Sequence, residues 1–204
     1  SLFPFNTPDM SAYLLAARTS GADVIAIAAG PPDNINCVKQ AASFGITRGK
    51  QQWAALLALI NDIHAIGLQL AQGLIVTTAF YWDRDEASRH LSQRFYKLNG
   101  KVPSMFQAGT YSGVLHYLKA VQAAGTKDPL TVAAKMRAMP VNDAFATDGV
   151  LRPDGLMVHD LALVRVKVPA QSKSEWDLYE VLDRISGASA FPPMKGEGCK
   201  LAGD

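Results

Sequence analysis

Residues 21–45 read GADVIAIA (21–28), AGPPD (29–33) and NINCVKQAASFG (34–45), which is a strand, a Gly/Pro loop and an amphipathic helix. Val24, Ile25 and Ile27 form an apolar run opened by Gly21 and Asp23, the pattern of a strand covered on both faces in a parallel sheet. Asp33 is placed to cap the helix. Ile35, Val38, Ala41 and Ala42 then recur at helical spacing, and Gly45 supplies a left-handed stop. In an open α/β sheet small ligands are held in the loop at the carboxyl end of such a strand, so Ala29 and Gly30 are the first candidate site residues.

On the amino-terminal side, Thr7-Pro8-Asp9 reads as a helix start, with a cap, a proline at the first helical position and an acid at the positive end of the dipole. That helix is expected to reach about Ser20, with Met10, Tyr13, Leu14 and Ala17 on one face. On the carboxyl side, Trp53 to Ile60 reads as a second buried strand and Asn61-Asp62 as a cap. A helix follows from Ile63 to Gln72 with Ile63, Ile66 and Leu70 inward, then Gly73, then a third strand from Leu74 to Thr78. Strands alternating with helices in this way pair in parallel through right-handed crossovers.

Beyond Thr78 the rhythm changes. The aromatic segment Phe80-Tyr81-Trp82 leads into a helix with Ala87, Leu91, Phe95 and Leu98 inward. A second helix begins near Thr110 with Val114, Leu115, Leu118 and Val121 on one side, and a third is opened by Asp128-Pro129 and stopped by Pro140. From Gly149 hairpins are expected: a turn at Arg152-Pro153-Asp154-Gly155, a long strand from Leu156 to Val168 and a partner from Trp176 to Ile185. The second half of the long strand alternates as if buried on one face only. The tail from Ser186, rich in Gly, Pro and Ala, reads as an irregular surface arm.

Composition narrows the function classes. A 204-residue chain with 49% hydrophobic and 19% charged residues is ordinary globular protein. Its longest uninterrupted apolar run, Trp53 to Ile60, falls far short of the roughly 20 residues a membrane-spanning helix needs. A net charge of +2 without a basic helix or strip argues against nucleic-acid partners. The first ten residues show no signal-peptide pattern. Cys37 and Cys199 are too few for a four-ligand metal site and are either two buried thiols or one disulfide.

No catalytic template fits: there is no phosphate loop, no G-x-G-x-x-G after a strand, no H-E-x-x-H and no nucleophile elbow. Neither an enzymatic activity nor a cofactor or metal is expected. Asp62 reads as a cap or as a ligand group, and His64 as an exposed side chain or as a ligand group. Both sit at the carboxyl end of the second strand, facing the crevice of Ala29 and Gly30. Helix starts at Asp33 and Asp62 would offer free N–H groups to a carboxylate. Tyr81, Trp82 and Phe106 read either as ligand-stacking aromatics or as core.

Five stretches taken together resemble one family: FPFNTPDMSAYLLAARTSGADVIAIA (3–28), NCVKQAASFGI (36–46), AQGLIVTTAFYWD (71–83), QAGTYSGVLHYLKAV (107–121) and GLMVHDLALVRVK (155–167). In order and spacing they are similar to the C-terminal part of type I periplasmic solute-binding proteins of ABC transporters. The nearest branch is the branched-chain amino-acid receptor group, which includes members for aromatic acids.

The resemblance implies an α/β fold of two lobes, each a parallel sheet flanked by helices, with antiparallel hairpin strands near the C-terminus. Residues 1–78 would be part of lobe 2, 79–163 the C-terminal part of lobe 1, and 164–204 a return to lobe 2 with the tail. A small carboxylate, an amino acid or an aromatic acid, would be captured in the cleft as the lobes close, and delivered to an ABC transporter permease from the periplasm. A sensory domain of the same fold in a signalling receptor is the alternative. Ligand-lining positions would be Ala29, Gly30, Asn61 and Asp62, with His64 and Tyr81 beside them and Phe106 as an aromatic wall from the other lobe. Asp62 would stand for the family's acid that pairs with an α-ammonium, whereas the first loop lacks the tyrosine of amino-acid binders. The resemblance also implies a missing N-terminal part, without which the helices of 79–163 expose apolar faces or need a companion fragment. It brings Cys199 back onto the lobe that holds Cys37, which implies a disulfide in an oxidising periplasm.

Overall fold

Short apolar runs separated by glycines and prolines become the strands of one sheet. The computed structural model describes residues 1–194. It divides into two units: unit 1 holds residues 1–78 and 163–183, and unit 2 holds 79–162 and the described residues from 184 onward.

Unit 1 is a mixed α/β layer. Helix α1 (Ser11–Thr19) leads into strand β1 (Val24–Ile27), helix α2 (Asp33–Ser43), strand β2 (Gln52–Ala55), short helices α3 (Ile60–Ile66) and α4 (Leu68–Ala71) and strand β3 (Ile75–Thr78). Strands β1, β2 and β3 pair in parallel, with Ile25 opposite Trp53 and Ala55 opposite Val76. The sheet is completed by β6 (Leu161–Val166) and β7 (Tyr179–Ile185), in the order β1-β2-β3-β6-β7.

Burial shows which face the helices cover. Ile27, Trp53, Ala55, Val76, Val164 and Val166 are buried, and they fall on alternate positions of their strands. The other alternate set is not covered: Val24 is 55% exposed, Ala26 is exposed, and Ala54, Ile75 and Leu163 are half-buried. This corrects the expectation of a strand buried on both faces. β1 is an edge strand, and its apolar run is broken by alternation once the pleat is seen.

Helix starts also differ from the sequence reading. α1 begins at Ser11 because the carbonyls of Thr7 and Pro8 accept side-chain amides of Asn36 and Gln40 instead of continuing a helix. Pro32, not Asp33, holds the cap position of α2, and the buried Asp33 carboxylate accepts the Asn6 N–H at 3.0 Å. β2 stops at Ala55, with Leu56 exposed, and α3 starts at Ile60. The helix expected over Ile63 to Gln72 is broken at Gly67, whose φ of +87° ends α3 and starts α4.

Unit 2 is built from three helices, α5 (Glu86–Asn99), α6 (Met105–Ala124) and α7 (Pro129–Ala138), and a small hairpin of β4 (Val150–Leu151) and β5 (Met157–Val158). Each helix has its cap: Asp85 accepts Ser88 N–H at 2.7 Å, Ser104 accepts Phe106 N–H at 3.2 Å, and Asp128 accepts Thr131 N–H at 2.9 Å. The core joins Phe80, Leu91, Ala108, Val141, Phe145 and Ala146. Arg84 ties it down by donating to the carbonyls of Phe145 and Ala144, both at 2.8 Å.

The face of α6 is reversed from expectation, whereas α5 buries Leu91 as expected and departs at Ala87 and Leu98, which are exposed. α6 starts at Met105 and buries Ala108, Ser112, His116 and Ala120, while Val114 and Leu118 are exposed. Leu98 of α5 is 85% exposed. The buried stripe of α6 is polar because its groups find partners: Ser112 donates to Asp143 at 2.7 Å, and His116 Nε2 lies 2.9 Å from Met136 O. The strand expected from Leu156 to Val168 is divided at His159-Asp160 into β5 and β6, and β7 starts at Tyr179, after the buried Trp176, Asp177 and Leu178.

The sequence reading keeps everything after residue 163 with residues 1–78, but the contacts place the described residues 184–194 with unit 2. A short helix α8 (Gly187–Ala190) forms there in place of an irregular arm. Gly187 N–H donates to Asp160 Oδ1 at 3.0 Å, and a Cβ on Gly187 would lie 2.8 Å from Val158 Cγ1, so only glycine permits this approach.

Candidate functional site

The candidate residues of unit 1 lie on two loops, those leaving β1 and β2 at their carboxyl ends. After β1, Ala29 and Gly30 are half-buried, Pro31-Pro32 is a cis peptide, and Gly30 O accepts Asn34 N–H at 3.1 Å as α2 begins. After β2, Leu59 precedes α3 in extended conformation.

Asp62 is buried and is the third residue of α3, from where its side chain closes the helix start on the cap residue Leu59. Its Oδ2 accepts Leu59 N–H at 2.9 Å and the Asn34 side-chain amide at 3.2 Å. One carboxylate oxygen thus satisfies an orphan N–H of the helix start and also ties α3 to α2. Asn34, which the sequence reading missed, is 1% exposed and also donates to Leu57 O at 3.0 Å. A signal for it was present: Asn34 lies in register with Val38 and Ala41, so the inward stripe of α2 begins with a polar residue that needs a buried partner.

Asn61 differs from its neighbour. It is half-buried, and its Oδ1 is buried without a hydrogen-bond partner among the described residues. An acceptor in this state can take a donor from outside the chain, an ammonium, hydroxyl or water.

His64 points away from this group. Its ring stacks on Trp176 with centroids 4.1 Å apart, and Nε2 lies 3.0 Å from Glu175 Oε1. It borders a surface groove of about 490 Å³ together with Gly67, Lys173 and Leu178. Asp62 and His64 are therefore neighbours in sequence that serve different surroundings.

In unit 2, Tyr81 is buried and lies edge-on to Trp82 at 5.9 Å, as a core aromatic. Phe106 is 56% exposed on the first turn of α6 and offers its ring outward. Cys37, on α2, is buried, and burial pushes its thiol up to about 11. The expected partner Cys199 lies outside the described residues. Among the described residues no cluster of three or more His, Cys, Asp or Glu is arranged to hold a metal, and no helix is long and apolar enough to cross a membrane.

The family model of the periplasmic binding proteins matches residues 1–174. The chain belongs to that family. As a periplasmic binding protein chain it superposes on solved relatives. A branched-chain amino acid ABC transporter periplasmic ligand-binding protein from Burkholderia xenovorans LB400 is 42% identical, with a TM-score of 0.89 over 98% of this chain and 54% of that one. A periplasmic binding protein from Burkholderia mallei is 44% identical, with a TM-score of 0.89 over 98% of this chain and 52% of that one. A solute-binding protein of an ABC transporter from Rhodopseudomonas palustris BisB5, solved with 3,4-dihydroxybenzoic acid, is 17% identical, with a TM-score of 0.76 over 90% and 50% of the two chains, and shares the fold. The chain spans about half the length of these relatives. No curated protein matches it.

Proposed function

We propose that this chain is part of a periplasmic receptor that captures a small carboxylate, an amino acid or an aromatic acid, and delivers it to an ABC transporter permease without chemical change. The observation that carries the reading is the 42% identity, over 98% of the chain, to a ligand-binding protein of a branched-chain amino acid transporter. The aromatic-acid arm is supported by the same fold holding 3,4-dihydroxybenzoic acid in the Rhodopseudomonas protein.

Within unit 1 the proposed ligand-facing groups are the Ala29–Gly30 loop and Asn61, with Asp62 behind them. Asn61 Oδ1 has the free acceptor capacity a ligand ammonium or hydroxyl requires. Asp62 Oδ2 already accepts two hydrogen bonds, so its main contribution is to hold the loop before α3. Phe106, exposed at the start of α6, is the proposed aromatic surface of unit 2.

The test is thermal unfolding of the protein at the full length of its relatives, with a panel of amino acids and aromatic acids. A ligand bound by the native state raises the midpoint as its concentration exceeds Kd. One class raising the midpoint, with the ligand recovered unaltered, is the expected result. A flat response across the panel, or turnover of the ligand, overturns the reading.

A further inference from the structure

Helix α3 carries Asn61 and Asp62 on its first turn, so the way it is seated sets what unit 1 presents at the candidate loops. It has only seven residues, Ile60–Ile66, and Gly67 with φ of +87° breaks it from α4. A helix shorter than about 12 residues does not hold itself in water, so its position comes from what it packs on. Ile60, Ile63 and Ile66 are buried and fix its depth. Apolar burial is non-directional, however, and leaves the rotation of so short a helix about its axis to ring and polar contacts.

Two such contacts hold α3 from different flanks. Asp62 Oδ2 accepts the Asn34 amide at 3.2 Å, which ties one flank to α2. His64 follows two residues later, about 200° around the axis. Its ring stacks on the buried Trp176 with centroids 4.1 Å apart and planes within 12°, and Nε2 lies 3.0 Å from Glu175 Oε1. Glu175 and Trp176 belong to the segment that leads into β7. Asn61 comes three residues before His64, a neighbouring position on the helix surface, so the stack holds the flank that carries Asn61. The His64 and Glu175 side chains are 38% and 56% exposed, and a charged contact so exposed contributes little. The stack, closed on one side by a buried indole, is therefore the stronger hold.

We propose that His64 is a positioning residue for the ligand site: stacked on Trp176, it fixes the rotation of α3 and so aims Asn61 at the ligand. Asn61 Oδ1 makes no hydrogen bond among the described residues, so its direction is set by the seat of the helix that carries it. His64 acts through Asn61 and does not touch the ligand. The proposal rests on the receptor reading, in which Asn61 accepts a ligand ammonium or hydroxyl.

The test uses the protein at the full length of its relatives and the variants His64→Ala, His64→Phe and His64→Gln. Without ligand, amide exchange is read at Ile63 and Gly67, which donate to Leu59 O and Ile63 O. His64→Ala and His64→Gln are expected to speed it by about tenfold relative to the amides of β2 and β3, whereas His64→Phe, which keeps a ring on Trp176, restores the parent rate. Leucine and 3,4-dihydroxybenzoate are then titrated by calorimetry as probes of the two ligand classes. Affinity for the probe that the parent binds is expected to fall by about fivefold in His64→Ala, to recover in His64→Phe, and to fall no further when His64→Ala is added to Asn61→Ala. Unchanged exchange in His64→Ala, a His64→Gln variant as fully restored as His64→Phe, or affinity losses that add on the Asn61→Ala background overturn the proposal. A parent that binds neither probe counts against the receptor reading instead, and the exchange rates still decide whether the stack seats α3.

Discussion

Asn34 and Asp62 meet inside unit 1, where the Asn34 amide donates to Asp62 Oδ2 across 3.2 Å with both side chains buried. The contact joins the first turn of α2 to the first turn of α3, which are the two helix starts that position the candidate loops. A second donation from Asn34, to Leu57 O at 3.0 Å, fixes the connection between β2 and α3. The loops that would face a ligand are therefore set by a polar pair one layer below them.

Removing that pair has a defined cost. Asn34→Ala leaves Leu57 O and Asp62 Oδ2 each short of a buried donor, and the expected loss is about 1–3 kcal/mol. Urea denaturation measures it as a lower midpoint with an unchanged slope. A loss below about 0.5 kcal/mol would place Asn34 among ordinary surface positions and refute the role given to it.

Asn61 and Asp62 are adjacent but are expected to fail differently. Asn61→Ala removes a side chain whose Oδ1 has no partner, so stability without ligand stays within about 0.5 kcal/mol while ligand affinity falls. Asp62→Ala removes the acceptor of Leu59 N–H and Asn34, so stability falls by about 1–2 kcal/mol before any ligand is added. Calorimetric titration and denaturation of both variants, in the protein at the full length of its relatives, separate the two roles. Equal stability losses would contradict the assignment.

The sequence showed much of this at the level of elements. β1, the α2 stripe of Val38 and Ala41, β3 and the Asp128-Pro129 start of α7 follow from period and cap chemistry. The face of α6 did not, and that of α5 did so only around Leu91. A stripe such as Val114 and Leu118 records what the helix is built to cover, and periodicity alone cannot say whether the cover is present. Asp33 was read as a cap because capping is local, whereas its partner Asn6 lies 27 residues away; Asp62 does close the start of α3 through Leu59 N–H, and what the local pattern hides is its second partner, Asn34, 28 residues away. At the candidate site, Ala29, Gly30 and Asn61 were proposed from their position in the fold, and Asn34 escaped because a buried polar side chain is recognised by its partner.

Gly67 makes the break between α3 and α4 with φ of +87°, and a Cβ added there meets nothing within 4 Å. The cost of Gly67→Ala is thus backbone strain alone, about 1–2 kcal/mol. Gly67→Asn should lose about as much, because a ψ of 145° lies outside the left-handed helical region that Asn tolerates. Thermal denaturation of the two variants checks this, and an alanine variant as stable as the parent would show that the break relaxes into continuous helix.

Asp85 links stability to pH at the start of α5. Partial burial raises its carboxyl, but Ser88 N–H and the Arg84 guanidinium outweigh that and hold it below the usual carboxylate range. A depressed folded-state pKa contributes stability above the unfolded-state value, near 3.9, that is lost as pH falls through the lower folded value. Asp85→Asn keeps a capping oxygen and removes the charge. The variant is expected to be less stable than the parent at pH 7 and to converge with it as the pH falls below the folded-state pKa of Asp85. A stability difference that does not change with pH would show that the charge contributes nothing.

Cys37 supplies a chemical readout of the unit 1 core. Burial on α2 raises its thiol to about 11, so at pH 8 only about one molecule in a thousand carries the reactive thiolate, against roughly a quarter for an ordinary exposed thiol. Alkylation of the native chain is expected to be slower than that of the urea-unfolded chain by about 100-fold or more, since limited access adds to the low thiolate fraction. If the proposed bond to Cys199 is present, neither state labels at Cys37 until reductant is added, after which both cysteines label together in urea. Labelling of the native chain at the unfolded rate would mean that α2 does not pack Cys37 as described, and the Asn34–Asp62 contact on the same helix would fall with it.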